Sequence, residues 1–159
     1  MPRLIKNAAI ADDIWIALDP EAAVAARGQI CTLEQWLQLE DKSGSAVQLE
    51  PGQEPTPLLD HLAQIELVVI NFPVFTDGRG FSYARYLREH GFRGELRAGG
   101  HFIRDQLTYL RRCGFDAFQM AEESGLEEAL ASLGDFTEFY QAAVDQPLPL
   151  FRRRVQKSR

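Results

Sequence analysis

Residues 67–120 read LVVINFPVFTDGRGFSYARYLREHGFRGELRAGGHFIRDQLTYLRRCGFDAFQM. The stretch opens on a continuous apolar run, Leu67 to Phe72, as expected of a parallel strand covered on both faces. A glycine-rich turn, Thr76 to Gly80, leads into an amphipathic segment from Phe81 to His90 that Gly91 stops. Glu95 to Ala98 is a second, weaker strand, and Ala98 to His101 a second glycine-rich turn. From His101 to Cys113 the apolar residues Ile103, Leu107 and Leu110 recur at helical spacing, and Gly114 ends the helix. Phe115 to Met120 is the third strand. Strand, helix, strand, helix, strand with short turns is the pattern of βαβ units in a parallel sheet.

The flanks extend the alternation. Leu4 to Leu18 suggests two short strands turning at Asp12-Asp13. Gly28 to Cys31 is a short strand, and Thr32 with Gln35 forms a capping box ahead of a helix carrying Leu33, Trp36 and Leu37. Ala46 to Leu49 is a strand, followed by a helix opened by Thr56-Pro57. Ser124 and Glu127 suggest another capping box before Leu126, Ala129, Leu130 and Leu133. A last helix carries Phe136, Phe139, Tyr140 and Ala143. The expected fold is α/β: one domain over residues 1–150, a mostly parallel sheet of about five β–α units and an N-terminal β-hairpin. An open flavodoxin-like sheet with helices on both faces is the first arrangement, and a partial (β/α) barrel the alternative. Residues 151–159, FRRRVQKSR, form a basic tail.

Composition excludes several function classes. The 159 residues carry a formal charge of -6, which argues against nucleic acid, whose phosphates require a basic face. No apolar run approaches the ~20 residues of a membrane-spanning helix. Cys31 and Cys113 stand far apart and form neither a CxxC pair nor a zinc spacing. The expectation is a cytoplasmic protein with no bound metal and no cofactor.

Ionisable residues gather at the two turns. Asp77, Gly78, Arg79 and Gly80 combine permissive backbone, helix N–H groups and a planar cation, a set suited to an anion. Equally, Asp77 can cap the helix while Arg79 pairs with a carboxylate. Arg97, Gly99, Gly100 and Arg104 offer a second cationic and glycine-rich set for an anion or a partner. Asp77, His101 and Asp105 are the candidate catalytic groups, with Asp105 one helical turn from His101. Two strand-to-helix turns of the same polarity belong on one sheet edge, where such sheets bind ligands.

The block from Asn71 to Phe118 also resembles the signature of a bacterial family of uncharacterised conserved proteins, domain of unknown function 934. The matching elements are FP-x-F-x-DGRG (Phe72, Pro73, Phe75, Asp77 to Gly80), S-x-AR-x-LR (Ser82, Ala84, Arg85, Leu87, Arg88), G-ELRA (Gly94 to Ala98), RDQL (Arg104 to Leu107) and RCGFDAF (Arg112 to Phe118). Members commonly carry the label of an oxidoreductase of sulfite reduction, and their genes stand beside those of sulfate assimilation. The resemblance implies an accessory protein of sulfate and sulfite reduction that binds sulfite reductase, another protein of the pathway, or a small sulfur oxyanion or phosphate. The alternative is a small enzyme, an oxidoreductase by the label, acting on an anionic substrate at the DGRG and AGGH edge.

Overall fold

Parallel β–α units dominate the computed structural model, which describes residues 1–22, 27–74 and 76–133. Two N-terminal strands, β1 (Arg3–Lys6) and β2 (Ala9–Asp12), form an antiparallel hairpin. Five parallel strands follow: β3 (Ile30–Thr32), β4 (Ser45–Leu49), β5 (Ile65–Phe72), β6 (Glu95–Gly100) and β7 (Ala117–Met120). Their connections are α1 (Leu33–Gln38), a 3-10 turn (Thr56–His61), α2 (Arg79–Glu89) and α3 (Leu107–Cys113), and α4 (Leu126–Leu133) follows β7. The α/β class, the five β–α units and the hairpin match the sequence reading.

The sheet order is β2-β1-β7-β6-β5-β4-β3, so the parallel strands lie side by side in chain order without a reversal. A flavodoxin-like sheet requires such a reversal. The arrangement is therefore the barrel-like one. The buried side chains of α1 to α4 and of the 3-10 turn all join one core, with Val47, Leu49, Val68, Ile70, Phe72, Leu96 and Ala98 from the sheet. Helices on both faces were the expectation; every described helix lies on one face.

The other face closes on itself. Asp12 ends β2, and Ile16 is bridged in parallel to Gln29, just before β3. Those two residues stand four positions apart in the chain, a reach of at most ~14 Å. In a flat sheet of this size the outer strands would lie on the order of 29 Å apart. The sheet must be rolled, with residues 13–16 joining its two edges. Its inward side chains stack in layers set by the register. The lowest layer holds Ile30, Ala46, Leu67 and Glu95, the next Thr32, Gln48, Val69, Arg97 and Ala117, and the top Asn71, Gly99 and Gln119.

Several local expectations change. The hairpin turns at Asn7-Ala8, both left-handed (φ 50° and 60°), as a two-residue type I′ loop requires. The expected turn at Asp12-Asp13 does not form, because Arg97 draws Asp13 into the barrel. Gly99 and Gly100 belong to β6, paired with Asn71 and Phe72, and do not open a helix. The following helix begins later than His101, with a 3-10 turn at Arg104–Gln106 ahead of α3. Thr56 caps nothing: the Thr56–His61 segment is a 3-10 turn with Pro55 at its start. Ser124 lies inside a short 3-10 turn, Glu123–Gly125, and is not a cap. The Thr32 and Gln35 capping box forms as read, and Gly91 and Gly114 stop their helices with φ of 94° and 116°. The expected last helix and the basic tail lie outside the described residues.

Arg97 holds the barrel shut. It is 1% exposed and donates two hydrogen bonds to Asp13 (2.9 and 3.1 Å), one to Glu95 (2.9 Å) and one to Gln119 (3.3 Å). Lys6 reaches Glu95 at 2.6 Å, so two cations meet two carboxylates. Asp13 also accepts from the Trp15 N–H and donates its own N–H to the Pro2 carbonyl. Trp15 and Leu18 then pack on Ile30, Ala46, Leu67 and Val69. Removing one partner of such a buried pair strands the other charge, at a cost of about 3–5 kcal/mol. Asp13→Ala is expected to lose that much stability in urea denaturation. Lys6→Ala, at a pair 40% exposed on the lysine side, should lose less than about 1 kcal/mol. Equal losses would mean that Asp13 does not close the barrel.

Candidate functional site at the barrel mouth

Both glycine-rich segments lie at the same edge, the C-terminal ends of neighbouring parallel strands. Phe72 pairs with Gly100, and the His101 N–H donates to the Phe72 carbonyl at 2.7 Å. The edge is shared, but its parts do different work.

In the DGRG turn, Asp77 and Arg79 satisfy each other. The Arg79 guanidinium donates to Asp77 at 2.7 and 3.1 Å, and the Arg79 backbone N–H donates to the same carboxylate at 3.2 Å. Arg79 beside it holds the Asp77 carboxyl below the usual carboxylate range, through side-chain and then backbone hydrogen bonding. Gly78 starts α2 without contributing a side-chain cap. Gly80 serves packing: a Cβ there would stand 2.6 Å from Phe72 Cζ and 2.8 Å from Ile70 Cγ2. With Ala84, it lets α2 settle onto β5. Pro73 and Val74 are exposed, and Phe75 lies outside the described residues.

The second set disperses. Arg97 is buried one layer below the edge, in the closing network. Arg104 is exposed and pairs with Glu128 at 3.6 Å. His101 and Asp105 are both exposed, and no hydrogen bond joins them among the described residues. The proposed His–Asp orientation is absent from this arrangement. Cys31 and Cys113 are buried, and burial pushes the Cys31 thiol up. Among the described residues no group of three or more His, Cys, Asp or Glu is placed to hold a metal ion, and no helix is long and apolar enough to cross a membrane.

Gly99 and Gly100 do line a cleft. It opens at the mouth of the barrel, has a volume of about 340 Å³, and is bounded by Gln48, Val69, Asn71, Gln119, Met120 and the N-terminal Arg3. Gly99 stands between Asn71 and Gln119 in the top layer, so the floor has no side chain where two amides flank it. A glycine inside a strand marks a place where something approaches the backbone closely. Beside the cleft, Glu50 is held by two amides. Gln48 Nε2 donates to one carboxylate oxygen at 2.6 Å and Asn71 Nδ2 to the other at 2.7 Å. The Glu50 N–H donates to Gln53, which fixes the backbone as well. Arg3 faces Glu123 at 3.8 Å on the opposite rim. A second cleft of about 330 Å³ lies at the other end of β7, against Phe115, Phe118 and Leu133, and is mainly apolar. Barrels of parallel strands carry their sites at the C-terminal ends, which makes the mouth the candidate.

Gln48, Glu50, Asn71 and Gln119 were not among the sequence candidates. Their signal is a polar residue near the C-terminal end of each apolar strand: AVQLE, VVINF and DAFQM. It becomes readable only when the inward face of each strand is known.

Residues 46–151 match the model of domain of unknown function 934, described as a bacterial protein of unknown function, and the chain belongs to that family. No curated protein matches the chain.

Two measurements separate the roles of the turn. An NMR titration should find Asp77 below the usual carboxylate pKa, and Arg79→Ala should bring it back up. A depressed folded pKa means that Asp77 supports folding above the ordinary carboxylate range and loses that support as pH falls through its own lower value. Gly80→Ala should cost about 1–3 kcal/mol through overpacking against Phe72. An unchanged stability would mean that α2 does not need its close approach.

Proposed function

We propose that this member of the family is an accessory binding protein of assimilatory sulfate and sulfite reduction, working in the cytoplasm. Its working site is the barrel mouth, where it engages a small ligand on behalf of sulfite reductase or another protein of the pathway. The single observation that carries the site is the side-chain-free floor at Gly99, flanked by Asn71 and Gln119 at the ends of parallel strands. The pathway rests on the family resemblance in the DGRG to RCGFDAF block. A sulfur oxyanion or phosphate, free or carried on a larger molecule, would meet Arg3 and the Gln119 amide there. The exposed turn around Arg79 is available to a docking partner at the rim of the same edge.

A second reading, a small enzyme, is favoured by one observation. Glu50 is a carboxylate held in one orientation by two amides beside a cleft, with lone pairs left on both oxygens to accept from a ligand. Turnover of an added substrate that disappears in Glu50→Gln would select it.

The test is complementation of a deletion strain grown on sulfate or sulfite as sole sulfur source. The deletion is expected to grow poorly, with growth restored by cysteine and by the wild-type gene. Gly99→Leu and Asn71→Leu, accepted only if their melting matches wild type, should fail to restore growth. Normal growth of the deletion on both sources would overturn the pathway. Full complementation by folded mouth variants would move the working surface away from the mouth.

A further inference from the structure

The mouth is asymmetric in its hydrogen-bonding chemistry, and the asymmetry is fixed by charge. A carboxylate only accepts, so Gln48 and Asn71 must turn their NH2 groups to Glu50. Their carbonyl oxygens are left as acceptors, with no partner among the described residues. A guanidinium only donates, so Gln119 must turn its carbonyl oxygen to Arg97. Its NH2 group is left as a donor. The β4–β5 side therefore presents acceptors backed by the negative Glu50. The β7–β1 side presents two donors, the Gln119 amide and the half-exposed Arg3 guanidinium, the latter steadied by Glu123, which also lines the cleft and faces Arg3 at 3.8 Å.

We propose that the barrel mouth binds a compact zwitterion of the α-amino-acid type, its ammonium on the Asn71–Gln48–Glu50 side and its carboxylate on the Gln119–Arg3 side. The inference rests on the reading of the mouth as the working site and adds the chemical class of the occupant. Asn71 and Gln119 flank Gly99 at one strand spacing each, so their backbones stand about 10 Å apart. Both amides lean over β6, Asn71 Oδ1 toward Gly100 and Gln119 Oε1 toward Arg97, so their polar ends stand closer together than their backbones. That separation suits a compact ligand carrying a donor and an acceptor group on adjacent atoms. Gly99 provides the floor: a Cβ there would stand 3.2 Å from Val69 Cγ1 and occupy the space over the strand. The cleft of about 340 Å³ exceeds what a bare oxyanion fills and leaves room for a side chain toward Met120. A simple anion leaves the acceptor side unmatched, and a simple amine leaves the donor side unmatched. A ligand that matches both sides binds more tightly than an anion or an amine that matches one.

The experiment follows backbone amides of the full-length protein by NMR during titration with glycine, L-alanine and L-serine. Propionate, ethylamine, sulfite, sulfate and phosphate are run at equal concentrations. The zwitterions are expected to shift Gly99, Gly100 and Gln119 saturably, and propionate and ethylamine to bind at least about tenfold more weakly, as loss of one charge-assisted contact implies. Glu50→Gln and Arg3→Gln, the first nearly isosteric and the second at an exposed site, should each weaken the zwitterions by about tenfold. Sulfite or phosphate shifting the mouth while the zwitterions do not would overturn this inference and leave the mouth reading standing. No shift with any probe overturns it as well; complementation by folded Gly99→Leu then decides whether the mouth reading falls with it.

Discussion

A guanidinium buried at the centre of a rolled sheet sets the terms for everything else in this protein. Arg97 stands on the inner face of β6, the middle strand of the seven, and Asp13 comes from the segment that leaves the hairpin. Their pairing pulls residues 13–16 across the open side, where Trp15 and Leu18 then cover apolar strand residues. The hydrophobic contribution at this closure is small, since only Ile30, Ala46, Leu67 and Val69 are buried in it. The larger core lies on the helical side. Closure therefore depends on the ionic network to a degree unusual for an ordinary core. A buried ion pair is weak support for stability compared with packed side chains, but it enforces one arrangement, because every alternative strands a charge.

That specificity reaches the mouth. Gln119 accepts from Arg97, so the closing network ends at an amide lining the cleft. On the other side, Gln48 and Asn71 are oriented by Glu50. The chemistry at the surface is thus set by two charged residues, neither of which has to touch a ligand. One row lower stand Val69, which lines the cleft, and Arg97. The site carries amides on its walls, with Gly99 between them as a floor without a side chain.

The class of fold was legible because its signals are local. A continuous apolar run with a glycine turn after it means a buried parallel strand wherever it occurs, as at Leu67 to Phe72. The capping box at Thr32 and the stops at Gly91 and Gly114 are equally local. The barrel-like order was not legible, since the direction of each crossover leaves no mark in the composition of a short helix. Asp12-Asp13 misled for a related reason. Adjacent aspartates favour turns, but a partner 84 positions away outweighed that preference for Asp13. The glycines of the DGRG and AGGH segments show the same limit. Gly80 is required by Phe72 and Ile70, and Gly99 is required by neither turn nor helix.

The contrast between those glycines bears on how such sites evolve within a parallel barrel. Gly80 faces the helical side, where any side chain would meet the ring of Phe72, so its absence of a Cβ is a packing necessity. Gly99 faces inward, where an added Cβ would stand 3.2 Å from Val69 Cγ1, a milder contact than at Gly80 that still requires Val69 to give by a few tenths of an ångström. Glycine weakens a strand interior and marks a place where something approaches the backbone closely. Beside it, Asn71 interrupts the apolar run Leu67 to Phe72 of β5 and spends its amide on orienting Glu50. Two adjacent strands thus depart from the residues that packing alone would choose, at the same level and on the same face. That coincidence in space, more than any single motif, is what supports the proposal of the mouth as the working site.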